Sequence, residues 1–240
     1  MIGVVIPALD AAESLPRTLS ALSKAGTSLE AVVVDGGSRD GTAAVARAHG
    51  ARVVAAPQGR GAQLAAGVAS VRGEWLLLLH ADTVLAPGWA GAARAHVAAM
   101  PGSAAYFRFA LDSADPRARR LERRVAWRCR ALGLPYGDQG LLISRALLDA
   151  VGGVRPLPLM EDVDLVRRIG RARLAALPVD AVTSAARWER DGWRRRSWRN
   201  LGCLALWFAG APPRAIARLY GCRRPDLPSR PSLSGLGRRE

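Results

Sequence analysis

Residues 76–83, Leu-Leu-Leu-Leu-His-Ala-Asp-Thr, constrain this chain more than any other stretch. Four consecutive leucines behind Trp75 show no amphipathic alternation. They predict a strand buried on both faces in the middle of a mostly parallel sheet. A buried helix gives the same pattern over so short a run, and the polar residues that follow favour the strand. His80, Asp82 and Thr83 crowd its C-terminal end, where open α/β sheets bind ligands. An Asp there can hold a divalent metal and, through it, a phosphate-bearing substrate. It can equally cap the helix expected over 87–100, or make a turn.

The preceding sequence supports the strand. Residues 2–6 form a β-branched run ended by Pro7. Pro16 must fall in the first turn of the next helix, which makes Ser14 its N-cap and sets Leu15, Leu19 and Leu22 on the core side. Further strands are expected over 31–34 and 52–56, and helices from Thr42 to His49 and from Arg60 towards Gly73. This β-α alternation with short connections predicts a doubly wound parallel sheet. Beyond Asp82 the pattern is less regular. Expected there are helices over 88–100, 116–132, 163–170, 198–209 and 213–220. Strands are expected over 104–111, 140–144, 174–178 and 181–188.

The 240 residues suit a single domain over 1–221. It divides into a first half (1–100), a second half (101–190) and C-terminal helices (191–221). Residues 222–240, rich in Arg, Pro, Ser and Gly, are expected to be a disordered tail. The formal charge of +15 raises a nucleic-acid reading. Yet Lys24 is the only lysine, which points to compositional bias as much as to a phosphate-binding face, and no nucleic-acid partner is expected. Cys129, Cys203 and Cys222 are far apart, have no metal-ligand spacing, and read as reduced thiols of a cytoplasmic protein. No signal-peptide pattern precedes the first strand. The apolar run 201–213 is shorter than the roughly 20 residues that span a bilayer.

Asp35 ends its strand with Gly36 and Gly37 behind it. An Asp so placed commonly accepts hydrogen bonds from a base or ribose, and the glycines let a ligand approach the backbone. Ser38 or Asp40 would cap the following helix. Neither a Gly-x-Gly-x-x-Gly nor a P-loop pattern occurs, which argues against a dinucleotide site. Arg60 can meet a phosphate or stay solvated. Glu161 and Asp162 open a helix whose Val163, Val166 and Ile169 would face the core, and the helix dipole complements their charge. They, with Asp164, can also be ordinary first-turn acids. Residues 193–210 mix Arg, Trp and apolar residues, as in an amphipathic helix on an anionic membrane, or one packed on the domain or in a homodimer.

Taken in order, these segments resemble family 2 glycosyltransferases over roughly residues 1–190. The opening motif is Val5-Ile6-Pro7-Ala8-Leu9-Asp10 through Glu13, and the nucleotide motif is Val34-Asp35-Gly36-Gly37-Ser38-x-Asp40-Gly41-Thr42. Gly59-Arg60-Gly61-x-Gln63, His80-Ala81-Asp82 and Glu161-Asp162 follow. The whole chain also resembles a bacterial subfamily associated with radical-SAM, selenium and arsenosugar gene clusters. The resemblance implies a Rossmann-like GT-A fold and an inverting, metal-dependent transferase using a nucleotide-diphosphate sugar, with UDP-sugar favoured and the acceptor unassigned. It makes residues 1–100 a nucleotide-sugar half, 101–190 an acceptor and catalytic half and 191–221 an appended helical part. It places Pro7, Asp10, Asp35, Gly36, Arg60, Ala81 and Asp82 at the nucleotide. It implies Mg²⁺ or Mn²⁺ on Asp82, Asp162 as catalytic base beside Glu161, and sugar or acceptor contacts from Asp138, Gln139, Arg187 and Trp188. The family's acidic triplet usually begins with Asp. Here His80 stands in that place, as a ligand of a softer ion such as Mn²⁺, a contact to ribose or phosphate, or filler.

Overall fold

A computed structural model describes residues 1–221; the expected tail and Cys222 lie outside the described residues. Eight strands form one sheet in the order β3-β2-β1-β4-β7-β6-β8-β5. Its first half is β1 (Ile2–Ala8), β2 (Leu29–Asp35), β3 (Arg52–Ala55) and β4 (Trp75–Leu78), all parallel. The helices between them are α1 (Leu15–Ser23), α2 (Thr42–Ala48) and α3 (Arg60–Ser70). Pro7 does not end β1 but pairs within it, opposite Val34. Ser14 sits at the N-cap of α1 without a side-chain cap bond; its hydroxyl donates instead to Ala11 O.

The four leucines explain themselves in this frame. Leu77 and Leu79 face a core shared with α1, α2 and α4 (Trp89–Ala99), whereas Leu76 and Leu78 face one shared with α3, α6 (Arg145–Ala150) and α7 (Glu161–Ile169). Both faces of the central strand are covered, so neither can be polar. Helix α3 comes closest: a Cβ on Gly67 would collide with Val5 and sit 2.8 Å from Val34.

The second half of the sheet is mixed. β7 (Leu141–Ser144) runs antiparallel to β4 and to β6 (Ala104–Asp112). β8 (Leu174–Ser184) is parallel to β6, and the short β5 (Thr83–Leu85), which the residue pattern does not announce, pairs antiparallel with β8. Two expectations need correction here. The strands expected over 174–178 and 181–188 are one strand, with Pro178 in the register shift between the paired stretches, where no ladder donor is required. From Ala186 the chain is helical, as α8 (Ala186–Asp191). Helix α5 (Pro116–Leu132) is capped by Asp115, which accepts from Arg117 N. Helices α9 (Trp193–Phe208) and α10 (Pro213–Tyr220) pack on each other, and Leu204 and Cys203 of α9 pack against Leu134, Leu159 and Val163.

Candidate active site

An open cleft lies at the C-terminal end of β4. It is lined by Arg60 at the start of α3, His80 and Asp82 after β4, Tyr136 and Asp138 before β7, and Glu161 and Asp162 at the start of α7. Arg187 and Trp188 of α8, then Arg196, Asn200 and Cys203 of α9 and Tyr220 of α10, complete it.

Each acid is held differently. Met160 adopts a left-handed backbone (φ 65°) and turns the chain so that α7 begins at the cleft. Asp162 Oδ1 accepts from Val163 N (2.7 Å) and Oδ2 from Gly137 N (2.9 Å), which fixes the carboxylate plane between two elements. Glu161 is buried and lies 3.5 Å from Arg60 Nε; burial pushes its carboxyl up, and Arg60 opposes the shift. Asp164, by contrast, turns to Arg155 and Arg168 and serves the fold.

His80 is neutral at ordinary pH. Burial first, and the Arg60 guanidinium second, push it down to about 4. Arg60 Nη1 donates to its Nε2 at 3.3 Å, which occupies the lone pair a metal would use there. Asp82 Oδ2 lies 3.7 Å from the exposed Arg187. Asp138 is pushed up to about 6 by burial, and its Oδ1 has no hydrogen-bond partner. Thr183 donates to Asp138 O and bonds Thr83, tying this loop to β8 and β5.

The other expected positions divide. Gln139 does not line the cleft: it is 1% exposed, and its amide is used on Phe107 O and Tyr136 N, so it shapes the loop. Asp10, Asp35 and Gly36 lie at the ends of β1 and β2, beside the cleft rather than in its lining. Asp35 accepts from the Ser38 amide (3.0 Å) and hydroxyl, Ser38 Oγ accepts from Asp10 N, and Asp10 accepts from Arg39 N. Asp40 accepts from Thr42 N and the Thr42 hydroxyl at the start of α2, but the N-cap is Gly41, so neither of the two expected residues is the cap. Buried Gln63 donates to both Ala8 O (2.7 Å) and Val34 O (2.8 Å) and clips these strand ends together. Ala81 is buried, its carbonyl taking the Thr18 hydroxyl.

Arg196, Asn200 and Cys203 fall in the 193–210 stretch expected to meet a membrane, the domain or a second copy, and neither they nor Tyr220 were expected in the cleft. The four-residue spacing of Arg196 and Asn200, which puts them on one helix face, was the signal available. Among the described residues no group of three His, Cys, Asp or Glu side chains forms a ready metal cage, and no helix is long and apolar enough to cross a membrane. Cys129 and Cys203 are buried.

This sheet, parallel in its first half and mixed in its second, with carboxylates gathered at its C-terminal edge, is that of a GT-A glycosyltransferase. Solved structures share it. Glucosyl-3-phosphoglycerate synthase from Mycobacterium tuberculosis, crystallised with Mn²⁺ and UDP-glucose, matches with a TM-score of 0.55 at 20% identity, over 76% of this chain and 70% of that one. S. aureus TarS 1–349 in complex with UDP-GlcNAc matches with a TM-score of 0.60 at 15% identity, over 76% and 58%. The chain belongs to glycosyl transferase family 2, whose model matches residues 3–153. It is also 41% identical over 80 residues to uncharacterized glycosyltransferases of Mycobacterium tuberculosis and Mycobacterium bovis, a stretch spanning 33% of this chain and 35% of theirs.

Proposed function

We propose that this glycosyltransferase moves a sugar from a nucleotide-diphosphate sugar, with UDP-sugar favoured, to a hydroxyl acceptor with inversion. The observation that carries the proposal is the meeting of Asp82 and Asp162, from distant parts of the chain, in one cleft. The UDP-sugars bound by its structural neighbours support the donor class. Late residues Arg187 and Trp188 and helices α9 and α10 support the radical-SAM-associated subfamily.

The donor set suits a hard divalent cation: a cleft carboxylate, Asp82, whose neighbouring arginine is exposed enough to swing aside. Asp82 would hold Mg²⁺ or Mn²⁺, which neutralises charge on a leaving diphosphate when bound. Arg60 and Arg187 add positive charge to the same cleft. Asp35 and Asp10, in their hydrogen-bonded turn, receive the nucleoside. Asp138, with an oxygen lacking a partner, accepts from a sugar or acceptor hydroxyl. Asp162 takes the acceptor proton, and its two backbone donors keep the carboxylate aimed while further lone pairs stay available. His80, engaged by Arg60, positions that arginine against Glu161.

Exposed Trp198, Leu201 and Phe208, beside Arg194 and Arg195, support a peripheral contact of α9 with the inner, anionic membrane face of a cytoplasmic enzyme. The test of the chemistry is UDP release from UDP-glucose and UDP-N-acetylglucosamine, with water or a polyol as acceptor. Asp162→Asn should lower turnover about 10²–10⁴-fold and leave UDP affinity within about threefold. Turnover equal to wild type would remove Asp162 as the base.

A further inference from the structure

The wall made by α8, α9 and α10 contains polar groups that the fold itself leaves unsatisfied. Arg196 is 8% exposed. Its guanidinium is pinned on three sides: Nη1 donates to Asp191 Oδ2 (3.0 Å), Nη2 donates to the Tyr220 hydroxyl (3.4 Å), and Cζ lies 5.2 Å from the centre of the Trp188 ring. Its Nε–H is buried without a partner. One turn later Asn200 Oδ1 is also buried without a partner, and both residues line the cleft that contains Asp82 and Asp162. Buried donors and acceptors of this kind are rarely left unpaired, because each loses its water without replacement.

Charge adds a direction. Asp191 is shared by Arg190, Arg196 and Arg199, so one carboxylate faces three guanidinium groups and the cluster keeps a positive excess. A fixed N–H at the edge of that excess suits an anionic oxygen, and a neighbouring amide oxygen suits a hydroxyl.

We propose that Arg196 and Asn200, backed by Trp188 and Tyr220, form the acceptor subsite, and that it takes a hydroxyl compound carrying a carboxylate or phosphate. This rests on the glycosyl-transfer reading of the same cleft. The anionic group belongs either to a soluble hydroxy acid or to a lipid headgroup; the oxygen chemistry at Arg196 is the same for both.

The test titrates the full chain with sulfate, glycerate and glycerol, following tryptophan fluorescence in 0.15 M salt, and measures UDP with Mn²⁺ on the same samples. Glycerate should bind at least tenfold more tightly than glycerol. Arg196→Gln should weaken sulfate and glycerate at least tenfold and leave UDP unchanged. Asn200→Ala leaves the Asp191 ion pairs in place, so it reports even where Arg196→Gln does not fold. It should weaken glycerate at least threefold and leave sulfate, which has no hydroxyl, as in wild type. Phosphatidylglycerol vesicles supply the lipid arm: Arg196-dependent sedimentation with them identifies a lipid source, and a response to soluble glycerate alone identifies a soluble one. Equal binding of glycerol and glycerate, or anion binding indifferent to both substitutions, overturns the subsite. Arg196-dependent anion binding without any UDP binding instead removes the glycosyl-transfer reading and the acceptor role with it.

Discussion

The two halves of the sheet hold their functional groups by different means. In the parallel half, Asp10, Ser38 and Asp35 satisfy one another through turns at strand ends, and Gln63 closes the gap between β1 and β2. Most donors there are backbone amides, so the site is set once the strands are in register. In the mixed half, the functional groups are held by contacts between separate helices and loops. Glu161 of α7 meets Arg60 of α3, Asp162 meets Gly137 N, and Arg196 of α9 meets Tyr220 of α10. The first half is therefore a rigid platform, and the second an assembly whose members depend on one another.

That contrast predicts graded responses. The largest belongs to the platform. Gly67→Val drives a side chain into Val5 and Val34 and should cost about 3 kcal/mol, measured by urea unfolding. A loss below about 1 kcal/mol would mean that α3 does not seat there. Gln63→Leu removes two buried hydrogen bonds and should cost about 2 kcal/mol, with weakened UDP binding as the strand ends part. Unchanged UDP binding would separate the clip from the nucleotide site. The smallest effect is expected in the assembly. Arg190 first, with Arg199 and Arg196, holds Asp191 down to about 2. A carboxyl lowered in the folded state stabilises it above the ordinary value near 3.8 and loses that contribution as pH falls towards 2. Trp188 stacks on Trp193 at 5.9 Å across this junction. Wild-type tryptophan fluorescence should therefore change between pH 4 and 2, and Asp191→Asn should show its altered signal already at neutral pH.

The same contrast explains what was legible in the residues. Strands β1 to β4 are bare apolar runs with helices between them, so period and punctuation sufficed. The helix over Pro116–Leu132 was legible for a similar local reason, its opening Pro and closing Gly133. Strand β8 was not, because Pro178 reads as an end until the register shift opposite Tyr106 and Arg108 is known. Thr83–Leu85 is too short to show a period. At the site, Asp82 and Asp162 were legible as acids at element ends. The engagement of His80 by Arg60, the use of Gln139 within its own loop, and the roles of Arg196 and Asn200 were not. Those facts lie in contacts between residues far apart in sequence or in burial, which spacing does not encode.

The most direct measurement is calorimetric binding of UDP and GDP, with and without Mn²⁺, to wild type and Asp82→Ala. The prediction is binding of UDP that strengthens with Mn²⁺ and loses that Mn²⁺ dependence in Asp82→Ala. Equal UDP binding with and without Mn²⁺ in wild type, or an Mn²⁺ effect that survives Asp82→Ala, would contradict the assignment of Asp82 as the group that brings metal and diphosphate into the cleft.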